Sequence, residues 1–207
     1  TGVPGHFGAG SMHTQNNNQP TADKNKSKQP CPDFEGDPVS LENGNKIDSA
    51  VDFSLPGEMG LKFERFYISK NVQGTTYGGW TDNLDYTLSC PATRHCNTLT
   101  FRRPDGSGLS FISNDDNTFS EVGGGGFASA TYSPPGMAGE PGYYTVYDED
   151  SKIYTWSQAP NSNLMVLKYI SGVTGMLWTI SKSGSTTTVR HTNGQTMTLT
   201  SSVEGNL

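Results

Sequence analysis

The chain has 207 residues and carries 14 Lys and Arg against 20 Asp and Glu, a net charge of −6; 32% of residues are hydrophobic and 16% charged. A length of this order allows one domain, at most two, with a substantial core. The 25 Gly and 12 Pro stand well above the usual combined ~12% and predict frequent turns between short elements. The acidic balance deepens outside the leader, where Lys24, Lys26 and Lys28 face only Asp23; it repels a phosphate backbone and excludes nucleic acid as a partner.

Residues 1–30 are read as a vector-derived scar followed by a disordered linker. TGVPGHFGAGSM lacks the basic start and apolar middle of a signal peptide. HTQNNNQPTADKNKSKQP contains nothing to anchor a core. No run of ~18 apolar residues exists anywhere, so no transmembrane helix and no membrane span are expected. Residues 31–207 are assigned to one β domain with three parts: a motif unit at 36–88, loop-rich hairpins at 89–142 and an antiparallel meander at 143–200.

In the motif unit, Ile47 to Ser54 and Leu61 to Ile68 alternate as strands around Leu55-Pro56-Gly57, where Pro fixes φ and Gly tolerates a positive one. Asp37-Pro38 biases the preceding residue away from helix, and Asn43-Gly44 supplies a tight turn. A short polar loop then leads to Gly79-Trp80 and on to Asp85.

These residues resemble the domain that opens the shell of Rhs/YD-repeat proteins, large secreted polymorphic toxins. The resemblance rests on Gly36-Asp37-Pro38-Val39, Asp52-Phe53, Leu55-Pro56-Gly57, Arg65-Phe66-Tyr67-Ile68-Ser69, Gly79-Trp80, Asp85 and Leu88. It continues more weakly through Phe101, Asp105-Gly106 and Phe111. It departs at Asn43-Gly44, where Thr-Gly is usual. The resemblance implies an all-β fold, an open twisted sheet or the first part of a hollow β-cocoon. It also implies a non-enzymatic structural role, beginning or sealing a container for a C-terminal toxin that this chain lacks. Its partners would be the downstream repeat shell and toxin of the same protein, together with a secretion apparatus component, and its location outside a bacterium. Gly57 and Gly79 would supply unusual backbone angles, with Trp80 and Phe53 filling core space.

Farther along, Thr98 to Arg103 and Leu109 to Ser113 flank Pro104-Asp105-Gly106-Ser107-Gly108, a hairpin signal. Arg102 and Arg103 at its base suit a solvated face or pairing with Asp85 or Asp105. Gly123 to Gly126 is not followed by Lys-Ser/Thr or a capped helix, so it reads as a loop rather than a phosphate cradle. Ser133 to Gly142 is a second long turn.

From Tyr143 the alternation is clearest. Tyr143 to Asp148 and Lys152 to Ser157 form a hairpin with Tyr144, Val146, Tyr154 and Trp156 on one face. Leu164 to Ile170, Met176 to Ser181, Thr186 to Thr192 and Gln195 to Thr200 follow, the last two joined by Asn193-Gly194. The final strand carries no charge, so the expectation is an open edge through which the chain self-associates, and Met197→Lys is expected to weaken that association. No stretch keeps a helical period.

Chemistry-bearing residues are few. Cys90 and Cys96 flank Pro91 to His95, a spacing open to a small disulfide loop, to free thiols, or to a metal with His95 and Cys31. His191 is the one plausible base of the folded part, His6 and His13 lying in the leader. Asp37, Asp48, Asp52 and Asp85 could hold calcium, although a buried acid bonded to backbone amides or to Arg65 is the simpler reading. Tyr143, Tyr144, Tyr147, Tyr154, Trp156 and Trp178 could stack on sugars or bases, or pack. The balance gives no catalytic, metal or cofactor site. The alternative function is a secreted, adhesin-like β module that binds carbohydrate or protein.

Overall fold

The computed structural model describes residues 34–35, 39–40, 46–69, 79–91, 96–158 and 162–201. The leader, Asp37, Asn43-Gly44, Cys31 and His95 lie outside these residues. Among the described residues every regular element is a strand, and every ladder is antiparallel. β1 (Phe34–Glu35) pairs with β2 (Val39–Ser40). β3 (Ile47–Ser54), β4 (Lys62–Ile68) and β5 (Trp80–Asp82) form a three-stranded sheet in chain order. No described helix is long and apolar enough to cross a membrane.

The second sheet is an 11-stranded meander in which each strand pairs with its neighbours in sequence. It begins with β6 (Thr87–Ser89), β7 (Thr98–Arg102), β8 (Gly108–Ser113) and β9 (Thr118–Val122), and continues with β10 (Ser129–Ser133), β11 (Gly142–Tyr147) and β12 (Lys152–Gln158). It ends with β13 (Met165–Gly172), β14 (Leu177–Ser183), β15 (Thr186–His191) and β16 (Thr196–Thr200). β10 pairs directly with β11 across the Ser133 to Gly142 turn. The Gly-rich run joins β9 to β10, with Gly123 and Gly126 at positive φ. β5, β6, β9 and β10 are short, and their polar residues give too little alternation to mark them in the sequence.

Period-two alternation places one face of the meander inward. Leu99, Phe101, Leu109, Phe111, Phe119 and Ala130 are buried along β7 to β10, and Tyr144, Val146, Tyr154 and Trp156 along β11 and β12. Ile170, Trp178, Ile180, Val189 and Met197 continue the face to the last strand. Each large apolar side chain so buried contributes ~1.5–3 kcal/mol. The sheet curls without closing: β6 lies against β13, with β7 to β12 between them, yet β6 ladders only with β7. Between β12 and β13 the register shifts at Thr155/Trp156, a bulge of the kind that bends a strand.

The small sheet supplies part of the same core. Leu61 is fully buried, and Leu55, Met59 and Phe63 pack against the meander's inner face. Its hairpin turn closes with Leu55 N–H on Leu61 O at 2.8 Å and Gly60 N–H on Gly57 O at 3.1 Å. Gly57 has φ +110, and a Cβ at Gly60 would lie 2.0 Å from Leu55 O, so this turn needs both glycines. Gly79 likewise has φ +102.

Phe53 corrects one expectation: it is 42% exposed. β3 is an edge strand with a register shift between Val51 and Phe53, and it is Phe63 on the neighbouring β4 that packs against the core. Trp80 is half-buried, tilted against Tyr67 with ring centroids 5.4 Å apart and with the Arg65 guanidinium 5.0 Å over its ring. It covers the small sheet rather than filling the main core.

Candidate functional site

The turn between β3 and β4 is seated on β13 to β15. The Trp178 indole N–H donates to Met59 O at 2.6 Å, and His191 Nε2 lies 3.1 Å from Glu58 O. His191 Nδ1 accepts the Asn193 N–H at 2.9 Å, which places the ring proton on Nε2, facing Glu58 O. The Thr174 hydroxyl donates to the Glu58 carboxylate. A Cβ on Gly172 would meet Met59 Sδ at 3.1 Å, so a bare backbone there lets the turn approach. His191, predicted as the one plausible base, is 5% exposed and uses both ring nitrogens to hold this contact.

A second contact joins two hairpin tips. Arg103, just after β7, donates to Asp148, just after β11, through Nη2 at 2.7 Å and Nε at 3.3 Å, and Glu149 lies 3.6 Å away. Arg103 Nη1 also reaches Ser107 Oγ at 3.2 Å, and that hydroxyl donates to Asp105 at 2.7 Å. Asp148 Oδ1, which takes the Arg103 Nη2 bond, also accepts the Glu149 N–H at 2.8 Å. Burial opposes the guanidinium charge, but the Asp148 bond and the charges of Asp148, Asp105 and Glu149 outweigh it and hold the Arg103 pKa above its ordinary value. The expected partners Asp85 and Asp105 are thus corrected to Asp148, with Asp105 acting through Ser107. Arg102 alone lies on the solvated face.

Beneath this pair sits an aromatic cluster. Tyr86 meets Tyr154 at 4.5 Å between centroids, and Phe101 meets Tyr154 at 5.2 Å and Trp156 at 5.7 Å. Burial and the neighbouring Tyr86 push the Tyr154 hydroxyl far above its ordinary pKa. Of the six aromatics considered for stacking, Tyr144, Tyr154, Trp156 and Trp178 are core residues, whereas Tyr143 and Tyr147 are exposed. Tyr144 donates to Cys96 Sγ at 3.1 Å, and burial, then Tyr132, push its pKa up to about 12. Cys96 is bridged to Cys90, with Cα atoms 5.6 Å apart, which settles the open thiol question.

The acids of the motif unit serve the backbone and Arg65. Arg65 grips Asp52 through Nε at 2.5 Å and Nη2 at 2.8 Å, but the pair is exposed where a buried one was expected. The register shift beside Asp52 leaves that carboxylate on the open side of the edge strand. Asp85 accepts the Asp82 N–H at 2.9 Å, and Asp82 accepts the Leu84 N–H at 2.8 Å. Between them Asn83 is buried and acts as an extra strand residue for β4. Its carbonyl accepts the Glu64 N–H, its amide donates to Lys62 O, and its own N–H donates to Glu64 O. Sequence reading passed over Asn83, since a single Asn beside a turn carries no periodic signal. Burial, then the charge of Asp85, raise the Asp82 pKa to about 6. Among the described residues no three His, Cys, Asp or Glu side chains gather as a metal set.

Taken together, the polar groups inside the fold bind other parts of the same chain, and the two clamps hold distant elements face to face. A family profile described as "Domain of unknown function (DUF6531)" matches residues 36–111. No curated protein matches the chain. The matched span covers the small sheet and the meander as far as Phe111 in β8. Each clamp straddles its limit: Glu58, Met59 and Arg103 lie inside, while Trp178, His191 and Asp148 lie beyond it.

Proposed function

We propose that this chain is a non-enzymatic structural segment that begins or seals the hollow shell of an Rhs/YD-repeat toxin protein. The observation that carries the reading is the double clamp between the matched span and the meander that follows it. The turn at Glu58-Met59 and the side chain of Arg103 lock the opening unit across the inner side of a sheet that curls but stays open. The unit so held would, on this reading, block one end of the curl, and added hairpins would extend the meander. The match of residues 36–111 to that family profile supports the reading further, because the family is commonly found in Rhs/YD-repeat proteins. On this reading the toxin, the rest of the shell and export from a bacterium by a secretion apparatus belong to the complete protein.

The test is to express the chain joined to its downstream repeats and image the particle. A hollow container with residues 36–111 across one end supports the proposal; a solid or elongated body without a cavity overturns it. The carbohydrate-binding alternative has lost its principal anchor, since Trp156 is 1% exposed within the core.

A further inference from the structure

β16 forms one side of the large sheet, and among the described residues it pairs with β15 alone. His191 N–H donates to Gln195 O and Ser201 N–H to Ser185 O, so the hydrogen-bonded pairs of this ladder fall at residues 195, 197, 199 and 201 of the last strand. By alternation, the backbone N–H and C=O groups of Thr196, Thr198 and Thr200 point away from β15, toward the open edge. Their side chains lie on the solvent face, and Met197 and Leu199 lie on the core face, with Leu199 only half-buried.

The order Thr-Met-Thr-Leu-Thr is nearly the same read in either direction. When two such strands run antiparallel with Thr198 on the two-fold axis, Thr196 faces Thr200 and Met197 faces Leu199 of the second copy. The outward groups of Thr196, Thr198 and Thr200 then become the hydrogen-bonded pairs. Thr side chains meet Thr on one face, and on the other the half-exposed Leu199 gains an apolar neighbour. The strand contains no charge or proline to oppose this approach.

We propose that β16 is a self-complementary interface through which two copies of this chain join their sheets edge to edge, in the isologous register centred on Thr198. This inference does not rest on the shell reading, in which a further hairpin would take the same edge of β16.

The Met197→Lys substitution suggested by sequence is corrected by the structure, because Met197 is 8% exposed against Val189 and a charge there would unsettle the sheet. The informative change is Thr198→Lys, at an exposed position, which sets two like charges opposite each other across the axis. Sedimentation velocity over a concentration series should show a monomer–dimer equilibrium for the wild type. Thr198→Lys should remain monomeric, while Ser181→Lys, on the same solvent face of interior strand β14, should dimerise as the wild type does. Amide hydrogen exchange at Thr196, Thr198 and Thr200 should slow roughly tenfold or more from dilute to concentrated protein, because their N–H groups gain partners only in the dimer. A wild type that stays monomeric overturns the proposal. So does a dimer that Thr198→Lys leaves intact or in which these three amides gain no protection.

Discussion

Arg103 and Asp148 are 45 residues apart in the chain and meet as a doubly bonded pair whose side chains retain 7% and 1% of their exposure. The pair fixes the tip of the β7–β8 hairpin to the tip of the β11–β12 hairpin, and so sets the curl of the sheet between them. Removing one partner strands the other charge in a buried place, at a cost of ~3–5 kcal/mol. Arg103→Met and Asp148→Ala should each destabilise by about that amount in urea unfolding, and the double variant should recover part of the loss. Additive losses would show that the two residues act separately.

The turn clamp should be measurable in the same way. Trp178→Phe leaves Met59 O without its donor, and His191→Phe does the same to Glu58 O. Each should cost ~0.5–1.5 kcal/mol, the net contribution of one hydrogen bond, since both acceptors are only part-buried. Hydrogen exchange and limited proteolysis at residues 55–60 should rise in both variants while β11 and β12 stay protected. An unchanged turn would mean that its apolar contacts hold it without these bonds.

Asp82 gives a pH dependence of definite sign. Its folded pKa is raised to about 6, by burial and then by Asp85, above an unfolded value of ~3.9. Between those values the folded state binds the proton more tightly than the unfolded one. The stabilisation from Asp82 is therefore full below about pH 4 and is lost as pH rises through about 6. Asp82→Asn can keep the Leu84 N–H bond through its carbonyl and should flatten that part of the stability–pH curve, being relatively more stable than wild type above pH 6. The wild-type minus variant difference, from thermal unfolding at several pH values, isolates this group. A difference that does not change between pH 4 and 7 would contradict it.

The Cys90–Cys96 bridge closes a short loop at the start of β7 and carries the sulfur that Tyr144 meets. Loop-closure entropy for so small a ring gives about 2 kcal/mol. Replacing both cysteines with Ser should lower stability by that order, and reduction of the wild type should have the same effect. If both changes are neutral, the neighbouring core holds the loop unaided.

The sequence by itself determined the local architecture. Leu55-Pro56-Gly57, Pro104 to Gly108 and Asn193-Gly194 each sit between runs of period-two alternation, and a hairpin is closed by residues adjacent in the chain. The alternation likewise showed that Tyr144, Val146, Tyr154 and Trp156 share one face, and that Met197 lies opposite Thr198. Alternation says which side chains point together; it does not say what will cover them. That was decided when the sheet curled and the turn at Glu58-Met59 came down on β13 to β15, covering Trp178 and His191 while Phe53 on the edge strand stayed exposed. Arg103 could not be matched to Asp148 in advance for the same reason. Several acids of suitable charge lie within its reach in sequence, and only the approach of two distant hairpin tips selects one and removes the water from around it.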